Sequence, residues 1–397
     1  MRTSLSLVLV ITSIVVAIAV LGTAFYLFNQ SRGPYSSFQI ETAVKLVAIN
    51  HDGTYIAAAD YEEKVHLWRN DGTKSHVEIN HPGAMPFALT FLKNRDVLIV
   101  GYNDGYVRVY DTETGMRLVE QQTILADEAS VVYRFLRTGQ AYPEIGGVFA
   151  LAVNSEETEL LVAGVNGQFA LIDIATWSVI EAHTLPASFD ITITAFDSTA
   201  NSVVLSTRSD KRMISIWNRD RSVVINSIEA RLYEGIGAVR FLNDEDLALI
   251  AYPSDVALFH IASSRDDFVQ YTLNVRNFSV AEISASGNYF ARGGVEATGE
   301  AVTDGLPIIG QSDYTVYLHR LPRIHDELQR TEAQQGWCIE FKQGSSRELI
   351  PIQCPISEPI RSFRGHTDVV VSIAFDTIDT YLVTGSRDGT VKVWLLD

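Results

Sequence analysis

Short apolar runs separated by tight-turn signals recur along most of the chain. Val, Ile, Tyr and Phe are concentrated in these runs, and Asn-Asp-Gly at 70–72 and 103–105 and Arg-Asp-Gly at 387–389 punctuate them. β-Branched and aromatic residues favour extended strands, and Asp-Gly pairs favour the tight turns that join antiparallel strands. The pattern therefore predicts an all-β protein built from hairpins.

The clearest unit of this pattern lies near the C-terminal end of the chain. Residues 365–368 have the sequence Gly-His-Thr-Asp, and residues 386–394 have the sequence Ser-Arg-Asp-Gly-Thr-Val-Lys-Val-Trp. This unit resembles a WD40 repeat, which forms one blade of a β-propeller. The resemblance predicts that the apolar end of the inner strand and the tryptophan of the third strand recur in the rest of the chain.

Two positions recur at the spacing of this unit. The first closes the inner strand of each blade and is occupied by Ile49, Phe91, Val153, Phe196, Phe241, Ile283 and Phe375. The second corresponds to the tryptophan of the third strand and is occupied by Trp68, Tyr110, Ile172, Trp217, Phe259, His319 and Trp394. The two positions are 18 to 21 residues apart in every pair except the sixth, where they are 36 apart. Seven pairs predict a seven-bladed, WD40-like β-propeller over residues 36–397.

The seventh blade needs a fourth strand in addition to those predicted at 369–376, 381–386 and 390–395. Residues 36–41 are the remaining strand-like segment, and we expect them to pair with the strand that contains Trp394, a closure that resembles the one used by WD40 propellers. We name the face on which each inner strand begins the top face. Because strands alternate in direction, the segment 36–41 must start at the bottom face.

Three stretches exceed the regular spacing and are predicted insertions. Residues 123–147 join the second blade to the third, and residues 293–313 separate the second and third strands of the sixth blade; both lie on the top face. Residues 322–358 precede the outer strand of the sixth blade and lie on the bottom face. Loops longer than the fold requires are where function tends to reside.

The first insertion combines aromatic and charged residues, as recognition surfaces do. Its candidate partner-binding residues are Tyr133, Phe135 and Tyr142. The alternative is that residues 131–136 fold back and pack on the second and third blades as core.

Residues 5–28 form a stretch of 24 positions without a charged side chain. This length spans a hydrocarbon core of about 30 Å as a helix. We therefore expect residues 1–30 to be an uncleaved membrane anchor, followed by a short linker at 31–35, with a cleaved secretion signal as the alternative. Arg2 and the terminal amine favour a cytoplasmic N terminus, so the propeller is expected outside the cytoplasm. The excess of Arg over Lys favours a bacterial source.

The resemblance also implies a structural hydrogen-bond network formed by His366, Thr384, Asp388 and Trp394. A catalytic arrangement of Ser386, His366 and Asp388 is the alternative, but no nucleophile elbow or oxyanion loop accompanies these residues.

The corresponding polar position in the first three blades is apolar. Ala58, Val100 and Val162 stand where the last blade has Thr384, and the Gly-His pair is missing from these blades. We therefore expect apolar packing to hold the first three blades.

Cys338 and Cys354 are the two cysteines of the chain, and both fall in the bottom-face insertion. Alternating apolar and polar residues at 337–342 and 348–353 predict a hairpin that places the thiols opposite each other. In an extracytoplasmic domain this arrangement favours a disulfide, and two unrelated thiols in a reducing compartment are the alternative.

The net charge and the absence of known motifs argue against several classes of function. The net charge of −17 argues against nucleic-acid binding, and 47% hydrophobic residues exclude a disordered chain. Phosphate-loop, dinucleotide and metal motifs are absent from the sequence, so we expect no cofactor, metal site or catalytic residue. The leading hypothesis is a membrane-anchored, non-catalytic scaffold for protein partners. The alternatives are a propeller hydrolase or lactonase with a site at the central channel, and an accessory subunit of a membrane complex.

Overall fold

The structure of the protein is a computed structural model. It describes residues 33–73, 75–123, 132–135, 141–144, 147–185, 190–196, 201–208, 213–220, 223–229, 235–242, 246–252, 255–260, 270–274, 280–293, 314–321, 338–340 and 359–396. No helix in these ranges combines the length and apolar character needed to cross a bilayer. The anchor predicted at 5–28 lies outside them.

Antiparallel sheets of four or five strands follow one another along the described chain. Sheet 1 consists of β2 (Val44–Ile49), β3 (Tyr55–Asp60), β4 (Lys64–Arg69) and β5 (His76–Asn80). Sheet 2 consists of β6 (Pro86–Phe91), β7 (Val97–Tyr102), β8 (Tyr106–Asp111) and β9 (Arg117–Gln122). Sheet 3 consists of β12 (Val148–Val153), β13 (Glu159–Gly164), β14 (Gln168–Asp173) and β15 (Ser178–Thr184). A separate hairpin, β10 (Val132–Phe135) and β11 (Ala141–Glu144), lies between sheets 2 and 3 in sequence.

The remaining sheets repeat the same order of strands. Sheet 4 consists of β16 (Asp190–Phe196), β17 (Ser202–Arg208), β18 (Met213–Asn218) and β19 (Val223–Glu229). Sheet 5 consists of β20 (Gly235–Phe241), β21 (Asp246–Tyr252), β22 (Asp255–His260), β23 (Gln270–Asn274) and β27 (Cys338–Glu340). Sheet 6 consists of β24 (Val280–Ile283), β25 (Tyr289–Gly293), β26 (Val316–Arg320) and β28 (Arg361–Phe363). Sheet 7 consists of β29 (Val370–Phe375), β30 (Tyr381–Ser386), β31 (Thr390–Leu395) and β1 (Ser36–Gln39).

The two recurring sequence positions occupy equivalent places in these sheets. Each residue of the first set ends the first strand of its sheet, and each residue of the second set is the penultimate residue of the third strand. The two positions are joined by strand register, since Phe375 pairs with Leu382 and Leu382 pairs with Trp394 in sheet 7. The spacing of the two recurring residues therefore predicted the positions of these strands correctly.

The first strands of neighbouring sheets contact one another in chain order, from β2 through β6, β12, β16, β20 and β24 to β29, and β29 contacts β2 in turn. The apolar cores lie between adjacent sheets, including one between sheets 7 and 1 that contains Val44, Val383 and Val391. Gly385 of β30 provides the space for this contact, because a Cβ atom there would lie 2.5 Å from Cγ1 of Val44.

The N-terminal strand closes sheet 7. β1 pairs antiparallel with β31, with Ser36 opposite Val393 and Gln39 opposite Thr390. The backbone N–H of Tyr35 also donates to the carbonyl oxygen of Val393 at 2.7 Å. The predicted pairing of residues 36–41 with the strand of Trp394 is thus confirmed for residues 36–39.

Side chains at the bottom face hold the turns between first and second strands. Oδ1 of Asn50 accepts from the N–H of Tyr55 at 2.8 Å, and Oδ1 of Asp376 accepts from the N–H of Tyr381 at 3.0 Å. Asn154 has the same role in sheet 3. Each of these residues directly follows the last residue of a first strand, so the sequence repeat fixes the turns as well as the strands.

Candidate protein-interaction surface

Sheet 7 contains a continuous buried hydrogen-bond chain. Trp394 Nε1 donates to Thr384 Oγ1 at 2.9 Å, and that hydroxyl lies 2.7 Å from Nε2 of His366. Nδ1 of His366 lies 3.2 Å from Oδ2 of Asp388. The loop residue His366 is therefore linked through the second strand to the third.

Two features of this hydrogen-bond network favour a structural role for it. Burial alone would raise the pKa of the Asp388 carboxyl, but hydrogen bonds from His366, Thr390 and backbone N–H groups hold it well below its usual value. The Ser386 hydroxyl donates to the carbonyl oxygen of Asp368 at 2.9 Å. Ser386 is thus bonded to the backbone, while the His366 ring is bonded to Thr384, Thr390 and Asp388.

Sheet 1 is packed by apolar clusters, as expected, and it also contains a polar cluster that the sequence did not predict. Nε2 of His66 lies 3.2 Å from Oδ2 of Asp60, and Nδ1 of His66 lies 3.0 Å from Nε2 of His76. Trp68 stacks on both rings, with centroids 5.7 Å from His66 and 5.2 Å from His76. Asp60 and His66 are buried, and His76 is exposed, so the cluster runs from the interior to the surface.

Sheet 2 also has a buried charged network. Arg108 is 3% exposed, and it donates to both carboxylate oxygens of Asp104 and, through Nε, to Glu120 at 3.0 Å. The hydroxyls of Tyr102 and Tyr110 lie 2.9 Å apart, and burial raises the pKa of Tyr102. Sheet 2 thus also combines the expected apolar packing with a polar network that the sequence did not predict. In sheet 3 the corresponding third-strand residue is the buried Ala170, and the packing is apolar.

The top face brings together three side chains that the sequence analysis did not select. Nζ of Lys45 lies 3.3 Å from the centre of the Phe87 ring and donates to the carbonyl oxygen of Pro86 at 2.8 Å. Phe87 meets Phe149 edge to face, with centroids 5.2 Å apart. All three side chains are partly exposed. We name Lys45, Phe87 and Phe149 the top-face cluster.

The cluster has a positional signal in the sequence. Its members stand in β2, β6 and β12, each four residues before the residue that ends the first strand. Neighbouring first strands are in contact, so equivalent positions on successive sheets meet. The residue type at this position differs from sheet to sheet, so the spacing alone did not identify these residues as a candidate site.

The predicted partner residues lie on the hairpin between sheets 2 and 3. In the register of β10 and β11, Tyr133 is opposite Pro143, Phe135 is opposite Ala141, and Tyr142 is opposite Arg134. Tyr133 and Phe135 therefore belong to one alternating set of positions and Tyr142 belongs to the other. The hairpin is followed within a few residues by β12, which carries Phe149 of the top-face cluster.

Of the two cysteines of the predicted disulfide, the structure describes Cys338 only. Cys338 begins β27, which pairs with β23 and places Cys338 opposite Thr272. Cys354 and the second strand of the predicted hairpin at 348–353 lie outside the described residues. The described part of this insertion thus extends the outer edge of sheet 5, a contact that the sequence did not predict. Residues 294–313 of the second insertion also lie outside the described ranges.

The bottom face has polar links between the turns of neighbouring sheets. The Thr377 hydroxyl of sheet 7 is hydrogen-bonded to Nδ1 of His51 in sheet 1. Oδ2 of Asp379 accepts from the hydroxyls of Ser284 and Ser286 in sheet 6. The turns of sheets 6, 7 and 1 are therefore joined to each other. Within the described ranges, no group of three or more His, Cys, Asp and Glu side chains could hold a metal ion.

Comparison with known proteins identifies one repeat and the general fold. Residues 357–394 match the family WD40, described as WD domain, G-beta repeat. A segment of 46 residues is 41% identical to the target of rapamycin complex subunit LST8 of Saccharomyces cerevisiae. That segment is 12% of this chain and 15% of the yeast protein, so the match spans a small part of the curated relative.

Two solved structures are similar over nearly the whole chain. A chain in the crystal structure of the Mitotic Checkpoint Complex has a TM-score of 0.61 and 13% identity, covering 93% of this chain and 96% of that one. The crystal structure of Raptor from Chaetomium thermophilum has a TM-score of 0.64 and 11% identity, covering 92% of this chain and 29% of that one. At these identities the likeness shows the all-β fold alone.

Proposed function

We propose that the chain is a closed, seven-bladed propeller that binds a protein partner through its top face and acts as a scaffold without catalysis. The contacts of each first strand with the next, and of β29 with β2, support the closed ring. The match of residues 357–394 to a WD40 repeat supports the assignment of the repeated unit. Similar proteins include a named subunit of a complex and a chain of a checkpoint complex, which favours a role in an assembly.

The observation that carries this function is the top-face cluster. Partly exposed aromatic rings that are held in place by packing lose little entropy on binding, and they dominate the energy of many protein interfaces. The Phe87 ring is held by contacts with Lys45 and with Phe149. The cluster is thus an ordered apolar surface beside a charged group, and the hairpin of β10 and β11 leads into it.

A co-purification experiment tests this function. The full chain is isolated in mild detergent, and bound proteins are quantified by mass spectrometry for the native chain and for the double variant Phe87→Ala and Phe149→Ala. The matched control is Tyr35→Ala with Ile378→Ala, which also removes two large side chains but acts on the bottom face. We expect the first variant to lose the specific partner and the control to retain it.

The thermal unfolding of both variants decides how the result is interpreted. Loss of the partner from a top-face variant that unfolds like the native chain is the expected outcome. Equal partner recovery from the native chain and the top-face variant would show that another surface binds. If the alanine variant unfolds early, Lys45→Glu tests the same surface without removing an aromatic ring.

We further propose that residues 5–28 anchor the propeller in a membrane and place it outside the cytoplasm. The uncharged stretch of 24 residues and the position of Arg2 support this topology. Alkaline carbonate extraction should leave the full chain in the membrane fraction, and protease added from the outer side should digest the propeller. Release by carbonate, or protection from the protease, would contradict the anchor or its orientation respectively.

The anchor can also contribute to partner binding, as in an accessory subunit of a membrane complex. Replacing residues 5–28 by a polyleucine helix of equal length keeps the anchoring and removes the native helix surface. Retention of the partner by this variant would assign binding to the propeller, and loss would assign part of it to the helix.

A further inference from the structure

Among the side chains that the structure describes, the large apolar residues most exposed to solvent all lie on the bottom half of the molecule. Among the described side chains these residues are 40% to 66% exposed. Isolated exposed apolar residues are common on soluble proteins and need no explanation. Within the described part of the chain they occur at one end of the strands, whereas scattered residues would be found at both ends.

Sheets 2 and 3 contribute two residues each. Met116 lies in the turn between β8 and β9, and Leu118 is the second residue of β9. Val179 and Ile180 are the second and third residues of β15. Outer strands start at the bottom face, since first strands start at the top face and directions alternate. These four side chains therefore lie near the bottom rim.

Sheets 6 and 7 contribute the other three. Ile360 directly precedes β28, the outer strand of sheet 6, and Ile378 lies in the bottom turn between β29 and β30. Tyr35 directly precedes β1, and its ring lies 5.6 Å from that of Tyr381 at the start of β30. Four sheets thus carry exposed apolar side chains near the bottom rim.

The position of Tyr35 and the proposed anchor together indicate what covers this face. The proposed anchor ends at residue 28, and residues 29–35 span at most about 25 Å when fully extended. Tyr35 is at the bottom face, so the bottom face is held within that distance of the bilayer. Tyr is enriched at membrane interfaces, where its ring meets the lipid and its hydroxyl meets water.

Arginine side chains flank the apolar residues. Arg117 stands between Met116 and Leu118, and Arg361 follows Ile360. Arg117 is paired with Glu120, and Arg361 donates to the carbonyl oxygen of Leu395 at 2.7 Å. The bottom turns also carry exposed acidic residues, among them Asp52, Glu113 and Glu156, so it is the apolar side chains and not the charges that favour lipid contact.

We propose that the bottom face of the propeller rests on the lipid bilayer, with these seven apolar side chains in the headgroup region. The inference depends on the proposed anchor and goes beyond it, because a tethered propeller could also stand away from the membrane. Contact with lipid fixes the orientation of the propeller and leaves the top-face cluster directed away from the membrane. The occupant of the face is lipid rather than a second copy or another protein.

The experiment uses the full chain reconstituted in phosphatidylcholine and phosphatidylglycerol vesicles. A fluorescent amino acid that responds to polarity is incorporated at position 116 or 378, and the matched control carries it at position 62. Glu62 is exposed in the turn between β3 and β4 on the top face. Emission is recorded with and without nitroxide-labelled headgroups. All three positions are exposed, so the label does not disturb a core.

We expect a blue shift and loss of emission by lipid nitroxide at 116 and 378, and neither change at 62. Strong emission at all three positions in the presence of nitroxide would overturn the proposal. A blue shift at 116 without quenching would also overturn it, because a second copy or another protein would then cover the face. Carbonate extraction of the same vesicles separates this failure from a failure of the anchor, since an anchored but unquenched propeller contradicts the lipid contact alone.

Discussion

The buried hydroxyl of Thr384 offers the sharpest test of what holds sheet 7 together. Its Oγ1 accepts from Trp394 Nε1 at 2.9 Å and lies 2.7 Å from Nε2 of His366. Thr384 is fully buried, and Trp394 and His366 are 1% and 8% exposed. Water therefore cannot replace the hydroxyl without entering the core. Thr384→Val removes the hydroxyl and keeps the branched shape of the side chain.

The magnitude follows from the two groups that lose their partner. The indole N–H is left without an acceptor and the imidazole nitrogen without a donor, and each unsatisfied buried group costs about 1–3 kcal/mol. The new methyl group recovers about 0.8 kcal/mol through apolar burial. We therefore expect Thr384→Val to lower the free energy of unfolding by about 3 kcal/mol.

Urea unfolding followed by circular dichroism measures this loss. The matched control is Thr114→Val, because the Thr114 hydroxyl bonds Oδ1 of Asp111 at 2.6 Å in an exposed turn. The same chemical change should lower the stability there by less than about 1 kcal/mol. Coincident midpoints for the two variants would refute the reasoning, since the buried network would then contribute no more than a surface hydrogen bond.

Three further predictions test ring closure and pH dependence. Gly385→Ala should lower stability by about 1–3 kcal/mol because its Cβ would meet Val44; adding Val44→Ala should restore part of the loss, and additive effects in a double-mutant cycle would contradict the contact. Deleting residues 1–41 should lower the melting temperature because β1 is lost, whereas deleting 1–32 should not, and equal melting would contradict closure by β1. Burial and the charge of Arg292 lower the pKa of His319 to about 3 from 6.5, so its stability contribution is complete above pH 6.5 and is lost as the pH falls toward 3. His319→Phe should therefore reduce the slope of stability between pH 6 and 4 by about 1.4 kcal/mol per pH unit in urea titrations, and an unchanged slope would assign it to another group.

The positions of the strands could be predicted because they depend on local spacing. A hairpin of fixed length places the end of the first strand and the tryptophan of the third at constant separation, as with Phe375 and Trp394. Insertions lengthen one connection without changing the register on either side of it. This is why Ile283 and His319 end up in equivalent positions although 36 residues separate them.

The polar clusters of sheets 1 and 2 could not be predicted from the resemblance. Ala58 and Val100 replace the threonine of sheet 7, and this substitution suggested apolar packing. In both sheets the polar group instead stands two residues before the third-strand aromatic residue, as His66 and Arg108. Asp60 and Asp104 satisfy these groups from different positions near the top turn, so the partners follow no common spacing.

Contacts between sheets also could not be predicted from the sequence. The top-face cluster depends on which side chains meet across neighbouring first strands, and strand periodicity gives positions within one sheet only. In the sequence Lys45 is a charged residue near a strand end, and no local pattern predicts its position over the Phe87 ring. Similarly, β27 pairs with β23 across a gap in sequence that no local pattern spans.

The N-terminal strand β1 contacts both sheet 7 and sheet 1. These contacts determine how a force on the proposed tether reaches the propeller. β1 is paired with β31 of sheet 7, and its Phe38 ring stacks on Trp68 of sheet 1 with centroids 5.0 Å apart. Ser36 also donates to Oδ1 of Asn70 in sheet 1 at 2.6 Å. A force applied through residue 35 is therefore shared between both sides of the closure. Because Trp68 in turn stacks on His76 within the sheet 1 cluster, loosening that cluster should weaken the attachment of β1.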